Sequence, residues 1–263
     1  AMKTPGISGV QLLDLHDFPG QGTALVGLLN AFWESKGVAN AEEFRQFSAP
    51  VVPLARFSKA VYKNNEQFTA DIEIANYSSE EINNKNIKWA LTNASGQPLQ
   101  EGIIPLTNIK IGGGNIAGKI SCSLSEVKKA ERLTLRISIE NSSYKNTWNI
   151  WVYPATLTIE KEEIVVTDKL TETQKALAAG KTVLFNPPYQ LCAGLQGKFV
   201  PVFWSPVHFP KQAGTMGLLL DPTHKAFAHF PTEGHTNWQW WSLTTQSRTL
   251  VIDSIYQHIT PLV

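Results

Sequence analysis

A strand-like run near the amino end constrains the fold more than any other feature of this 263-residue chain. Its apolar residues are Val10, Leu12, Leu13 and Leu15. Such a nearly continuous run is typical of a strand that is covered on both faces. Residues 23–36 then carry apolar side chains at helical spacing, and Gly37 gives a stop signal. The pattern predicts one β/α unit. Because a lone strand of this type has no partner for its backbone, we expect the chain to begin near the end of a larger domain.

Polar side chains follow the predicted strand at its carboxyl end. They are His16, Asp17 and Gln21. In a β/α barrel this end of every strand faces the active site, which makes the three residues candidates for contact with a ligand. Two structural roles are open alternatives: Asp17 caps the following turn, and His16 packs in the interior.

The same region resembles a known family. Residues 11–27 read QLLDLHDFPGQGTALVG, and residues 32–37 read FWESKG. Both stretches resemble the last strand and helix of the (β/α)8 catalytic barrel in family 2-type glycoside hydrolases of gut Bacteroides-like bacteria, the β-galactosidase, β-mannosidase and β-glucuronidase relatives. Residues 68–77 and 230–241 resemble the C-terminal regions of such enzymes more loosely.

The resemblance implies a retaining glycosidase with two catalytic glutamates, on barrel strands that precede the last one. No residue of this chain matches either glutamate, so we assign no catalytic residue. His16, Asp17 and Gln21 are expected at the rim of the substrate site in the intact parent. The resemblance also implies an upstream barrel of the same polypeptide as the partner, and a periplasmic or secreted location.

The composition argues against several other classes of protein. The net formal charge is +1, which gives no electrostatic case for binding nucleic acid or an anionic membrane. No run approaches the ~18 apolar residues of a transmembrane helix. Cys122 and Cys192 are too few for a disulfide framework or a zinc site. No glycine pattern typical of phosphate binding occurs. We therefore expect no cofactor.

The middle of the chain, residues 49–155, alternates apolar and polar residues in short runs. The clearest runs are 68–76, 87–91, 133–139 and 147–153, with turn-forming stretches between them. This spacing predicts an Ig-like β-sandwich of about seven strands. The family resemblance implies the same kind of module after the barrel.

The pattern of apolar and polar residues changes again in residues 156–263. A strand at 163–167, a helix at 172–179 with Thr171 as its N-cap, and a strand at 182–185 predict a βαβ unit. Residues 177–184 resemble the flavodoxin-like, amidotransferase-like accessory domain of several glycosidases. We therefore expect a multi-domain, mainly β chain: residues 1–48 as the last β/α unit of a (β/α)8 barrel, then the sandwich, then an α/β accessory domain that is truncated.

A histidine-rich stretch near the carboxyl end raises the question of a metal site. It contains Asp221, His224, His229, Glu233 and His235. The spacing matches no helical zinc motif, and Pro222 and Pro231 interrupt any helix. We expect loop and interface residues here and assign no metal ligand.

The segment 237–241 is dense in tryptophan. We expect at least two of Trp238, Trp240 and Trp241 to be buried between the last domain and a neighbour, because three exposed indoles leave a large apolar area in water. The alternative is an exposed platform, in which Trp238 and Trp240 stack on the sugar rings of a glycan.

Two functions are open from the sequence. The first is a non-catalytic C-terminal accessory fragment of a glycoside hydrolase that acts on β-linked glycans, bracing the barrel and shaping substrate access. The second is a free-standing carbohydrate-binding or surface-interaction module that uses the tryptophan-rich segment. An exposed coplanar row formed by Trp238 and Trp240 would favour the second.

Overall fold

A computed structural model describes residues 2–4, 6–7, 9–12, 14–20, 25–157, 164–199, 208–209 and 217–251. The chain divides into two compact units. The first holds Ala1–Ala155, Phe203–Lys211 and Ala226–Pro231, and the second holds Thr156–Val202, Gln212–Lys225 and Thr232–Val263. No helix within the described residues is long and apolar enough to cross a lipid bilayer.

The described part of the first unit contains eight β-strands in two sheets. In chain order they are β1 (Val51–Arg56), β2 (Val61–Lys63), β3 (Gln67–Asn76), β4 (Ile82–Thr92), β5 (Pro98–Ile109), β6 (Gly112–Ser123), β7 (Glu131–Ile139) and β8 (Lys145–Tyr153). One sheet has the order β1-β3-β6, and the other has the order β2-β8-β7-β4-β5. The pairings are antiparallel except that of β2 with β8.

Residues from both sheets meet in one hydrophobic core. The first sheet contributes Phe68 and Ile72, and the second contributes Ile87, Leu135 and Ile150, all of them fully buried. Because successive side chains of a strand point to opposite faces, the alternating apolar pattern directs one face of each strand inward. The mainly β fold and the sandwich-like core are therefore as predicted, with eight strands instead of about seven.

The strand and helix predicted at the amino end are wrong over the residues that the structure describes. Residues 25–39 contain no helix, and residues 9–12 and 14–15 contain no strand. The Asn30 side chain accepts hydrogen bonds from the amides of Phe32 and Glu34, at 2.9 and 3.0 Å. Such a side-chain turn competes with helical hydrogen bonding. Trp33, at φ 66°, then takes the backbone out of the right-handed helical range. A barrel remnant is not seen in this part of the chain.

The first helix is short and lies against the sandwich. It is α1 (Ala41–Arg45), and Asn40 caps it through a reciprocal pair of hydrogen bonds with Glu43, at 2.9 and 2.8 Å. Lys145 on β8 forms an ion pair with Glu42. A groove of about 580 Å³, lined by both residues of this ion pair, lies between the helix and the β7–β8 turn. The Gln46 side chain, just after α1, accepts hydrogen bonds from the amide and the hydroxyl of Thr147 on β8, at 3.2 and 2.9 Å.

The second unit opens with the predicted βαβ unit. β9 (Ile164–Thr167) pairs in parallel with β10 (Thr182–Phe185), and α2 (Leu170–Ala178) connects them. The N-cap position is Lys169 and not Thr171. Next to it, the Thr167 hydroxyl accepts a hydrogen bond from the Lys169 amide and donates one to the Glu172 carboxylate. The described residues after β10 form short 3-10 turns and one helix, α3 (Trp241–Thr245), and they add no strand to this sheet. The described residues therefore do not show a complete α/β domain.

Candidate functional site

Asp17 is engaged in folding the amino-terminal segment. The residue is 6% exposed, and its carboxylate accepts hydrogen bonds from the Gly27 amide at 2.9 Å and from the Lys36 ammonium at 2.8 and 3.1 Å. The bond from Lys36 holds the pKa of Asp17 below its usual range, although burial opposes this shift. Residue 27 must be glycine, because a Cβ there would overlap the backbone of His16 and Asp17. This side chain therefore ties residues 25–36 to the preceding segment.

His16 is half-buried, and its ring packs at a 39° tilt against an exposed tryptophan. Its ring centroid lies 4.4 Å from that of Trp33, whose side chain is 62% exposed. The His16 Nδ1 atom lies 2.7 Å from the carbonyl oxygen of Asp17. A bulky residue at positive φ, as at Trp33, is strained and tends to occur at functional positions. His16 and Trp33 thus form a partly open pair. Gln21, the third residue predicted here, lies outside the described residues.

The Gly27 amide is expected to report the titration of Asp17. Because the folded-state pKa of Asp17 is lowered, this carboxylate stabilises the segment above its ordinary pKa of about 3.9. The contribution is lost as the pH falls through the lowered folded-state value. In NMR spectra, the amide shift of Gly27 should change with a midpoint below that of an unfolded peptide, and Lys36→Met should raise this midpoint. A midpoint that Lys36→Met leaves unchanged would contradict the assignment.

The tryptophan-rich segment is anchored by one buried indole. Trp240 is 8% exposed, and its Nε1–H donates to the Thr232 hydroxyl at 2.9 Å. The Asn237 side chain accepts a hydrogen bond from the Gln239 amide at 3.2 Å and donates one to the carboxylate of Glu233. These contacts cap the 3-10 turn Trp238–Trp240, which continues directly into α3. The backbone that carries the three tryptophans is therefore fixed from both ends of the turn.

The other two indoles are exposed, so the expectation that at least two of the three are buried is wrong. Trp238 is 62% exposed and Trp241 is 48% exposed. Residues three apart in a helical turn lie on the same side, which places these two together and directs Trp240 elsewhere. Phe199 packs against both, with ring centroids at 5.2 Å from Trp238 and 5.9 Å from Trp241. We call Phe199, Trp238 and Trp241 the aromatic cluster.

The aromatic cluster differs from the predicted site in its membership. Of the two tryptophans assigned to ligand contact from the sequence, Trp238 is exposed and Trp240 is buried as the anchor. Trp241 takes the exposed position beside Trp238. The i, i+3 spacing of this pair is a sequence signal that indicates a shared face. Phe199 has no comparable signal, because its contact with the pair is made only in the folded chain.

The histidine-rich stretch forms no metal centre among the described residues. No group of three or more His, Cys, Asp or Glu side chains lies close enough there to hold a metal ion. The Asp221 carboxylate instead accepts hydrogen bonds from the hydroxyl and the amide of Thr223, at 2.6 and 3.0 Å. These bonds lower the pKa of the Asp221 carboxyl. His235 pairs through its backbone with Leu219. These two residues therefore shape loops.

Comparison with known families gives two matches of unknown function. Residues 66–154, within the sandwich, match the model of a domain of unknown function, DUF8488, and residues 165–263 match that of another, DUF8487. No curated protein matches the chain. The sandwich and the carboxyl-terminal region thus match the models of two different domains of unknown function.

Solved structures with detectable similarity come from several kinds of protein. The CARDB domain of a Pyrococcus furiosus protein is 6% identical, with a TM-score of 0.30, and the match covers 40% of this chain and 93% of that one. A β-glucuronidase from glycoside hydrolase family 2 is 11% identical, with a TM-score of 0.29, over 39% of this chain and 11% of that one. A β-glucosidase from Listeria innocua is 12% identical, with a TM-score of 0.28, over 41% and 17%. Weakly similar structures therefore include two glycosidases. In each case the match covers less than a fifth of the length of the glycosidase.

Proposed function

We propose that this chain is a non-catalytic, carbohydrate-contacting accessory region of a glycoside hydrolase that acts on β-linked glycans. One observation carries the proposal: the aromatic cluster exposes two indoles on an anchored turn. Sugar rings present C–H faces that stack on an indole, and their hydroxyl groups accept hydrogen bonds from its N–H. Within the described residues, the Nε1–H groups of Trp238 and Trp241 donate no hydrogen bond, whereas that of Trp240 is held by Thr232.

The size of the exposed surface favours a sugar over a protein partner. An indole side chain presents up to ~250 Å², so the exposed fractions of Trp238 and Trp241 amount to roughly 300 Å² together. A stable protein interface needs about 800 Å² from each partner. The two indoles alone fall short of a standard protein interface, and their exposed area matches a short stretch of glycan.

The amino-terminal segment favours an accessory region over a free-standing module. Its large apolar side chains are more than half exposed at Val10, Leu12, Leu25, Phe32 and Val38. We assign these side chains to an interaction site, as is typical of large apolar surfaces left in water. The proposed partner is the barrel of the same polypeptide, and the proposed location is periplasmic or secreted. The second candidate, a free-standing carbohydrate-binding module, uses the same cluster and leaves this exposure without a role.

Affinity electrophoresis of the full chain tests the proposal. In gels that contain soluble β-glucan, β-mannan or β-xylan, we expect the chain to be retarded by at least one polysaccharide. The double variant Trp238→Ala, Trp241→Ala should migrate as in an empty gel. Trp33→Ala is the matched control, because it removes an indole of equal exposure from the first unit. Assays with aryl β-glycosides should show no turnover.

Two results would contradict the proposal. One is turnover of an aryl β-glycoside that persists through repurification. The other is unchanged mobility of the wild-type chain in every polysaccharide gel. Retardation that Trp33→Ala abolishes, and the double variant keeps, would move the sugar contact to His16 and Trp33.

A further inference from the structure

The two exposed indoles of the aromatic cluster are not coplanar. The ring of Phe199 is inclined by 46° to Trp238 and by 75° to Trp241. Because both angles are measured against the same ring, the two indole planes must be inclined to each other by at least the difference, 29°. The cluster is therefore a wedge and not a flat platform.

The wedge is held in this shape by contacts on both sides. The Trp240 amide donates to the carbonyl of Asn237 at 3.0 Å, and the Thr245 hydroxyl donates to the carbonyl of Trp241 at 2.7 Å. These bonds fix the backbone that carries both indoles. Phe199 packs against each of the two rings, so turning either indole into the plane of the other changes its contact with Phe199. Phe199 thus acts as a positioning residue for the pair.

The shape of the wedge selects one physical form of glycan. A crystalline polysaccharide presents its sugar rings in one plane, and two indoles inclined by 29° or more cannot both lie flat on it. A dissolved chain rotates about its glycosidic bonds, so successive sugars present faces at different angles. We infer that the aromatic cluster binds single, soluble β-glycan chains across two or more sugars, and not the surface of a crystalline polysaccharide. This inference rests on the proposed function and specifies its ligand.

Calorimetric titration with oligosaccharides of increasing length tests the inference on the full chain. The probes are β-1,4-linked gluco-, manno- and xylo-oligosaccharides and β-1,3-linked gluco-oligosaccharides of one to six units. For the series that binds, the affinity should rise at least tenfold between the monosaccharide and the tetrasaccharide. Trp238→Ala and Trp241→Ala, each alone, should remove this rise and lower the melting temperature less than Trp240→Ala does, because both indoles are more exposed than Trp240. Sedimentation with crystalline cellulose or crystalline chitin should leave the protein in solution.

The outcomes separate the inference from the proposed function. Sedimentation with a crystalline polysaccharide that Trp238→Ala abolishes would overturn the inference and leave the proposed function standing. Affinity that does not depend on chain length would do the same. Absence of binding to every soluble and crystalline probe would overturn both. Phe199→Ala should weaken the length dependence without abolishing monosaccharide binding, and equal affinities in this variant and the wild type would refute the positioning role.

Discussion

Phe68→Ala is expected to lower the free energy of unfolding of the sandwich by about 3–5 kcal/mol. Phe68 is fully buried on β3, and its ring centroid lies 5.6 Å from those of Phe57 and Tyr62. The truncation removes buried apolar area and leaves a cavity in the core. Urea denaturation followed by far-UV circular dichroism should show a lower midpoint with an unchanged slope.

The neighbouring residue provides the control for this variant. Thr69 is exposed and points to the opposite face of β3. Thr69→Ala should therefore change stability by no more than about 0.5 kcal/mol. If both variants unfold at the wild-type urea concentration, the assignment of Phe68 to the core is refuted.

Trp240→Ala has the second large expected effect, a loss of about 3–5 kcal/mol of stability in the second unit. Trp240 is buried, and its indole N–H donates to the Thr232 hydroxyl. Its removal leaves a cavity and an unpaired hydroxyl. Hydrogen exchange measured by mass spectrometry should show faster exchange in peptides from residues 232–251, with the sandwich peptides unchanged.

Two variants separate the buried anchor from the exposed cluster. Trp240→Phe keeps most of the buried volume and loses the hydrogen bond, so about 1 kcal/mol should be lost. Trp238→Ala removes an exposed ring and should leave exchange in the same peptides near the wild-type rate. Faster exchange in Trp238→Ala than in Trp240→Ala would reverse the roles assigned to the two indoles.

The sandwich was predictable from the sequence because its strands are half-buried. In β7, Leu133, Leu135 and Ile137 are buried, while Arg136 between them is exposed. This alternation with period two appears directly in the sequence. The turn at residues 93–96 was equally predictable from its residue types. The Asn93 side chain accepts hydrogen bonds from the amides of Ser95 and Gln97, and Gly96 has a positive φ of 81°.

The amino-terminal segment was not predictable from the same kind of pattern. Its apolar residues have helical spacing, but the Asn30 side chain and the positive φ of Trp33 override this preference. The ion pair between Asp17 and Lys36 joins residues that are distant in sequence. Such a contact has no periodicity, so a local pattern cannot show it. Asp17 therefore has a structural role that its position after an apolar run did not indicate.

The candidate site was only partly predictable from the sequence, because part of it depends on tertiary contacts. The density of tryptophan marked the segment, and the i, i+3 spacing of Trp238 and Trp241 is consistent with their shared exposed face. The burial of Trp240 depends on Thr232 and on the capping by Asn237. Phe199 joins the cluster from another part of the chain. Which residues belong to the cluster therefore depends on tertiary contacts, and local sequence patterns do not reveal such contacts.

An NMR titration of the tryptophan indole resonances tests the central claim most directly. The full chain carries eight tryptophans, and single Trp→Phe variants assign the Nε1–H signals of Trp33, Trp238, Trp240 and Trp241. On addition of the soluble oligosaccharide that binds, we expect the signals of Trp238 and Trp241 to shift in a saturable manner, while those of Trp240 and Trp33 stay in place. Saturable shifts confined to other tryptophans, or no shift with any oligosaccharide tested, would contradict carbohydrate contact at the aromatic cluster.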